Sequence, residues 1–125
     1  MKYQALSILK PAVNLIVNGD KTSEIRSWLP AEMPLKNILL VQNDRYLTSE
    51  EDEEDGICMA IVDFIEFSPW TEQKASKTSP LLTLGRTWKP GYFEWRIENV
   101  RKISNPAICK AKKGIYVVDV ESNLF

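Results

Sequence analysis

Residues Tyr3 to Leu9 alternate weakly between polar and apolar positions, which predicts a strand. The period then changes. Pro11 suits the first turn of a helix, where its missing N–H costs nothing. Val13, Ile16 and Val17 recur at helical spacing, Leu15 widens the apolar face, and Asn18-Gly19-Asp20 supplies a stop. A short helix is therefore expected over Lys10 to Gly19. Alternation returns from Thr22 to Trp28, with Thr22, Glu24, Arg26 and Trp28 on one face and Ser23, Ile25 and Ser27 on the other. Pro30 and Pro34 break the chain. Asn37 to Gln42 is almost wholly apolar, the pattern of a strand buried on both faces. Ile57 to Phe67 reads as a long strand, Tyr92 to Ile103 as one facing two environments, and Gly114 to Val120 as the closing strand.

Two stretches interrupt this order. Six consecutive acids, Glu50 to Asp55, predict a mobile loop over 48–56 that is dispensable for folding, because adjacent like charges repel and bury nothing. Ser68 to Pro90 is polar and bracketed by Trp70 and Trp88. It reads as an insert over 68–90 with one short element inside, and long excursions in small domains often carry function. Strand, short helix, then strands with no helices between them is an α+β order. It suits a small β-barrel with one helix against its side or end, and not a doubly wound parallel sheet.

The 125 residues fit a single domain, 1–125. With 44% hydrophobic and 26% charged residues the chain is of ordinary globular composition, which argues against disorder and fibrous repeats. The apolar run Ile38 to Val41 falls far short of the roughly 20 residues that span a bilayer. Gln4, Ser7, Lys10 and Pro11 interrupt any leader-like core. A cytoplasmic protein without a membrane partner is expected.

There is no histidine, so the commonest general base and metal ligand is missing and no Ser-His-Asp or Cys-His apparatus can be built from this chain. Cys58 and Cys109 stand 51 positions apart among apolar neighbours and read as buried thiols. No metal and no cofactor is expected. Net charge is -1, but setting aside the six-acid run leaves 11 acids against 16 bases. Arg101, Lys102, Lys110, Lys112 and Lys113 crowd a stretch with no acid. That asymmetry suits either a solvated face or a basic surface for phosphates.

The stretch Gly19-Asp20-Lys21-Thr22-Ser23-Glu24-Ile25-Arg26-Ser27-Trp28 resembles the Gly-x-Lys-x-x-Glu-x-Arg signature of the ASCH domain (activating signal cointegrator homology). Tyr92-Phe93-Glu94-Trp95, running on to Ile103, resembles the family's late strand, and Lys113-Gly114-Ile115-Tyr116 its turn into the last strand. The resemblance covers nearly the whole chain apart from the acidic run and the insert. It implies a PUA-like barrel and a cleft beside the helix for RNA or a nucleotide-like ligand, in RNA processing or translation-related regulation.

Glu24 and Arg26 share a strand face and Lys21 enters from the preceding turn. A carboxylate paired with a guanidinium holds it flat and leaves donors for a phosphate or a base edge. Lys10, Lys21, Glu24, Arg26 and Trp28 are the expected ligand-binding residues. Trp95 is expected in the core, with Trp70 and Trp88 pinning the insert.

The resemblance also carries an enzymatic alternative. Some members are acetylcytidine amidohydrolases, with a lysine as base, a threonine two positions beyond a Lys-Thr pair as nucleophile, and a glutamate as proton donor. Lys21-Thr22 matches the pair, but the position two beyond is Glu24, which has no hydroxyl. Thr22 or Ser23 would have to substitute, and Glu66 is a candidate donor. Other members cleave RNA, for which Lys21 would serve as base and Arg26 as the stabiliser of phosphorane charge. Lys21, Thr22 and Glu24 are thus the catalytic candidates of a metal-independent hydrolase acting on RNA or a modified nucleoside. A protein-interaction domain using the Trp-containing insert is a third reading.

Overall fold

The computed structural model describes residues 1–120 and 124–125. In chain order the elements are β1 (Lys2–Leu9), α1 (Ala12–Val17), β2 (Ser23–Arg26), β3 (Leu35–Asn43), β4 (Glu53–Pro69), α2 (Glu72–Ser76), β5 (Phe93–Lys112) and β6 (Ile115–Asp119). One six-stranded sheet runs β2-β5-β4-β3-β1-β6. The β1–β3 pair is parallel, made possible by the crossover through α1, and the other pairs are antiparallel. Among the described residues no helix is long and apolar enough to cross a membrane.

The near-continuous apolar run in β3 is explained by two cores. Ile38 and Leu40 join Leu6 and Ile8 of β1, Ala12, Val13 and Ile16 of α1, and Val62, Phe64 and Trp95 on one face. Leu39 and Val41 join Ala5, Cys58, Ile61, Ile103 and Ala111 on the other. Pro11 stands at the N-cap of α1, and the Val13 N–H is taken by the Gln42 side-chain carbonyl at 3.1 Å. Gly19 ends the helix in the left-handed region at φ +85°. Asp20 and Lys21 then donate their N–H groups to the Leu15 carbonyl, which aims the chain into β2.

Strand β5 has 20 residues and does not stop at Ile103. Its start pairs with β2 and β4, its far half with β4 alone, and at its end the Lys112 N–H donates to Ser7 Oγ at 3.0 Å. The sheet therefore curls back toward β1, yet it does not close into the expected barrel. Strands β5 and β6 are joined by the Lys113-Gly114 turn but share no ladder among the described residues. Two local causes are visible. The Ser104 and Asn105 N–H groups go to the Leu124 carbonyl, and Pro106 has none to offer. A groove lined by Asn105 to Lys110 and Tyr116 to Val120 lies where the missing ladder would run.

The acidic run is also not the free loop expected from its charge. Only Glu50 and Glu51 sit in an exposed turn, while Glu53 to Asp55 open β4. Asp55 pairs with Lys110 at 2.7 Å and Glu53 with Lys112 at 3.9 Å across the β4–β5 ladder. Asp52 grips Arg45 through both oxygens at 2.8 and 2.7 Å, and Glu54 accepts the Asp44 and Arg45 N–H groups. Bases distant in sequence relieve the repulsion that the local pattern predicts. In the insert, Trp70 is buried beside Tyr92, and the Trp88 indole N–H donates to the Trp70 carbonyl at 2.7 Å.

Candidate functional site

Strand β2 is short, with Glu24 opposite Trp95 and Arg26 opposite Phe93 on β5. Its other edge is bridged to β1 by a side chain. Arg26 Nη2 donates to the Ser7 carbonyl at 2.8 Å and to Glu24 Oε2 at 3.3 Å. Glu24 is only 7% exposed, and its Oε1 accepts the Ile25 N–H at 3.1 Å. Lys21, 5% exposed, places Nζ 3.7 Å from Glu24 Oε1 and donates to the Leu82 carbonyl of the insert. Arg86 donates to the Ile25 carbonyl at 3.1 Å and lies over the Tyr92 ring at 5.1 Å.

Burial alone would raise the Glu24 carboxyl. The Arg26 guanidinium, the Lys21 ammonium and the Ile25 N–H outweigh it and hold the group below its ordinary value. Burial also dominates at Lys21, where it pushes the amine down. Arg86 and Arg26 add to that push, and Glu24 opposes it.

The sign of the pH dependence follows for both groups. Glu24 contributes stability above its ordinary value of 4.5, lost as pH falls through the lower folded value. Folded Lys21 binds fewer protons than unfolded Lys21 between its folded value and the ordinary 10.5, so stability rises with pH across that window. Thermal midpoints measured from acid to alkaline pH are expected to fall on acidification, and the difference between wild type and Glu24→Gln isolates the Glu24 share.

The expected trio does not share one opening. Glu24, Arg26 and Trp28 line an open cleft of about 160 Å³, together with Ser7, Arg45, Tyr46, Arg86, Lys112 and Lys113. Lys21 and Thr22 instead line a second cavity of about 210 Å³, with Ser23, Leu82 and Thr83. Lys10 lies outside both and pairs with Asp44 at 3.4 Å. Glu66 pairs with Arg96 at 3.7 Å on the surface. Trp28 packs edge-on against Trp95, their centroids 4.9 Å apart, and Trp95 is fully buried. The Trp95 indole N–H has no oxygen or nitrogen partner, but the Trp28, Phe64 and Phe67 rings surround it.

Pattern reading missed Arg45, Tyr46 and Arg86, which come from the loop after β3 and from the insert. Lys112 and Lys113 belong to the basic run, a signal that marked charge but not location. Five cations thus face the cleft against the single carboxylate of Glu24. Arg26 is tied to Glu24, Arg45 to Asp52, and Lys112 loosely to Glu53. Among the described residues, neither Arg86 nor Lys113 has a carboxylate partner. Nor do any three Cys, Asp or Glu side chains gather there as a metal-binding cluster.

The family model described as ASCH domain matches residues 6–107, from β1 into the far half of β5. Glu24, Arg26 and Arg86 fall within the match, while Lys112 and Lys113 lie beyond it. A comparison with curated proteins found no match.

Proposed function

The chain belongs to the ASCH domain family, and we propose that it binds RNA, or a nucleotide presenting the same phosphate, in the cleft lined by Glu24 and Arg26. The setting we assign is RNA processing or translation-related regulation. The curl of the sheet toward Ser7 supports reading the architecture as an open form of the PUA-like barrel. The observation that carries the binding proposal is the pair of cations that form no ion pair among the described residues, Arg86 and Lys113, facing the same cleft as the Glu24-held Arg26. Both Glu24 oxygens are engaged, so its role is to orient Arg26, whose Nη1 and Nε make no hydrogen bond among the described residues and face a ligand. Tyr46 is 62% exposed on the cleft rim. Stacking of a base on such a ring contributes about 1–3 kcal/mol.

The test is titration with a fluorescent oligoribonucleotide at two salt concentrations. Arg86→Ala and Lys113→Ala are each expected to weaken binding severalfold and to flatten the dependence of log K on log salt by about 0.7, the slope carried by one single-strand phosphate contact. Lys102→Ala, an exposed lysine outside the cleft, is the control and keeps the wild-type slope. Unchanged slopes in both cleft variants would remove the proposal.

One observation favours a second reading, a hydrolase. Burial holds Lys21 below its ordinary value beside a cavity that Thr22 and Ser23 also line. The binding reading is preferred because that cavity is separate from the cationic cleft. Product analysis after prolonged incubation with an oligoribonucleotide and with acetylcytidine decides between them, with Lys21→Met as the inactive control.

A further inference from the structure

Cys58 and Cys109 are 51 positions apart in sequence. The antiparallel β4–β5 ladder brings them together on one face: Gly56 lies opposite Cys109 and Cys58 opposite Ala107. Cys58 belongs to the core that contains Ala5, Val41 and Ile103, where its thiol donates to the Ala107 carbonyl at 3.2 Å, and Cys109 packs against the same core. Cys58 is fully buried. Cys109 is half-buried and opens onto the groove of about 820 Å³ between β5 and β6, beside Tyr116. A small solute in that groove therefore meets Cys109 first.

The same place is tied to the cleft. Tyr116 packs in the core with Cys109, and its hydroxyl lies 2.7 Å from Ser7 Oγ. Ser7 Oγ also accepts the Lys112 N–H, and the Ser7 carbonyl accepts Arg26.

We propose that Cys58 and Cys109 are a modification site, a dithiol that a peroxide converts to a reversible intramolecular disulfide, and that the disulfide weakens ligand binding in the cleft. The second half rests on the binding reading above; the first does not. In the first step the Cys109 sulfur attacks one peroxide oxygen. The S–O bond forms as the O–O bond breaks, and the leaving hydroxide takes the thiol proton as water. In the second step the Cys58 sulfur attacks Cys109. The S–S bond forms as S–O breaks, and the hydroxide leaves with the Cys58 proton as a second water. Two thiols are oxidised and one peroxide is reduced.

Access sets this division of labour: Cys109 lines the groove and meets peroxide first, while Cys58 is fully buried behind it and can only resolve. Closing the bond draws the sulfurs to about 2.05 Å. That pulls on the short stretch of β5 from Cys109 to Lys112, and with it on Tyr116, Ser7 and the Lys113 turn.

The chain has two cysteines, so its intact mass and thiol count read the reaction directly. After hydrogen peroxide treatment of the folded full chain, the mass is expected to fall by two hydrogens and both thiols to be lost. A peptide map should join Cys58 to Cys109 within one chain, and a thiol reductant should restore the starting state. Cys109→Ser, at the half-buried position, should form no intramolecular link. Oligoribonucleotide affinity should drop severalfold on oxidation and recover on reduction. Oxygen addition without a cross-link, or two thiols that survive peroxide in the folded chain, would overturn the site. A formed disulfide with unchanged affinity would overturn its coupling to the cleft. If neither redox form binds the oligonucleotide, the binding reading and the coupling fail together, while the mass result still decides the disulfide.

Discussion

Glu24→Gln is expected to lower the stability of the fold by about 3–5 kcal/mol, the range for breaking a buried ion pair from one side. The substitution is nearly isosteric, so no cavity opens, and the amide oxygen can still accept the Ile25 N–H. What disappears is the one negative charge among Lys21, Arg26 and Arg86. Lys21 suffers most, since it is 5% exposed and, among the described residues, would keep the Leu82 carbonyl alone as partner. Arg26 is less affected, because its side chain is 21% exposed and retains the Ser7 carbonyl. Lys21→Met should cost less than Glu24→Gln, because Glu24 would still face Arg26. The double variant should be more stable than the sum of the two losses implies, since it removes both buried charges together. Urea unfolding of the four proteins measures all of this in one cycle. A Glu24→Gln variant as stable as wild type would show that water reaches the cluster and that the trio serves the ligand rather than the fold.

How far the sequence speaks for the site can be judged residue by residue. Alternation sets Glu24 and Arg26 on one face of β2, because a strand has a period of two whatever surrounds it, and Trp28, two positions past the end of β2, lines the same cleft. The same reasoning fails for Thr22, which precedes the first residue of β2, Ser23, and turns with Lys21 to the other cavity. Arg86 and Lys113 were not legible as site residues. They reach the cleft through the insert and the β5–β6 turn, contacts that no local pattern encodes. The acidic run shows the converse error: the repulsion is real, but the ladder supplies Lys110 and Lys112 from the far half of β5. Ser104-Asn105-Pro106 looks like the end of a strand. The backbone nevertheless continues as β5 to Lys112, and the cost of those residues appears instead as the open seam against β6.

Gly56→Ala is expected to cost about 1–3 kcal/mol, the range for forcing an extra carbon into a packed interior. Backbone conformation is not the reason here, since Gly56 lies outside the left-handed region. The reason is space. A Cβ at this position would sit 2.7 Å from Val41 Cγ1, 2.9 Å from the Gln42 carbonyl oxygen and 3.3 Å from the Ala111 Cβ. Val41 is fully buried and branched, and the Gln42 oxygen belongs to the backbone of β3, so neither can simply swing away. Relief requires β3 and β4 to separate. Val41 is the register partner of Ser7 on β1, and the Gln42 side chain caps α1 at Val13. A displaced β3 therefore disturbs the Ser7 carbonyl that holds Arg26, and the variant should lose oligoribonucleotide affinity as well as stability. Gly114→Ala is the contrasting case. Its φ of +74° disfavours a side chain, but nothing lies within 4 Å of the added carbon. The expected penalty is that of backbone conformation alone, about 1 kcal/mol. Thermal denaturation of the two variants should therefore place Gly56→Ala below Gly114→Ala. The reverse order would mean that β3 and β4 part freely, and that the close approach of Gly56 to Val41 does not hold the cleft in shape.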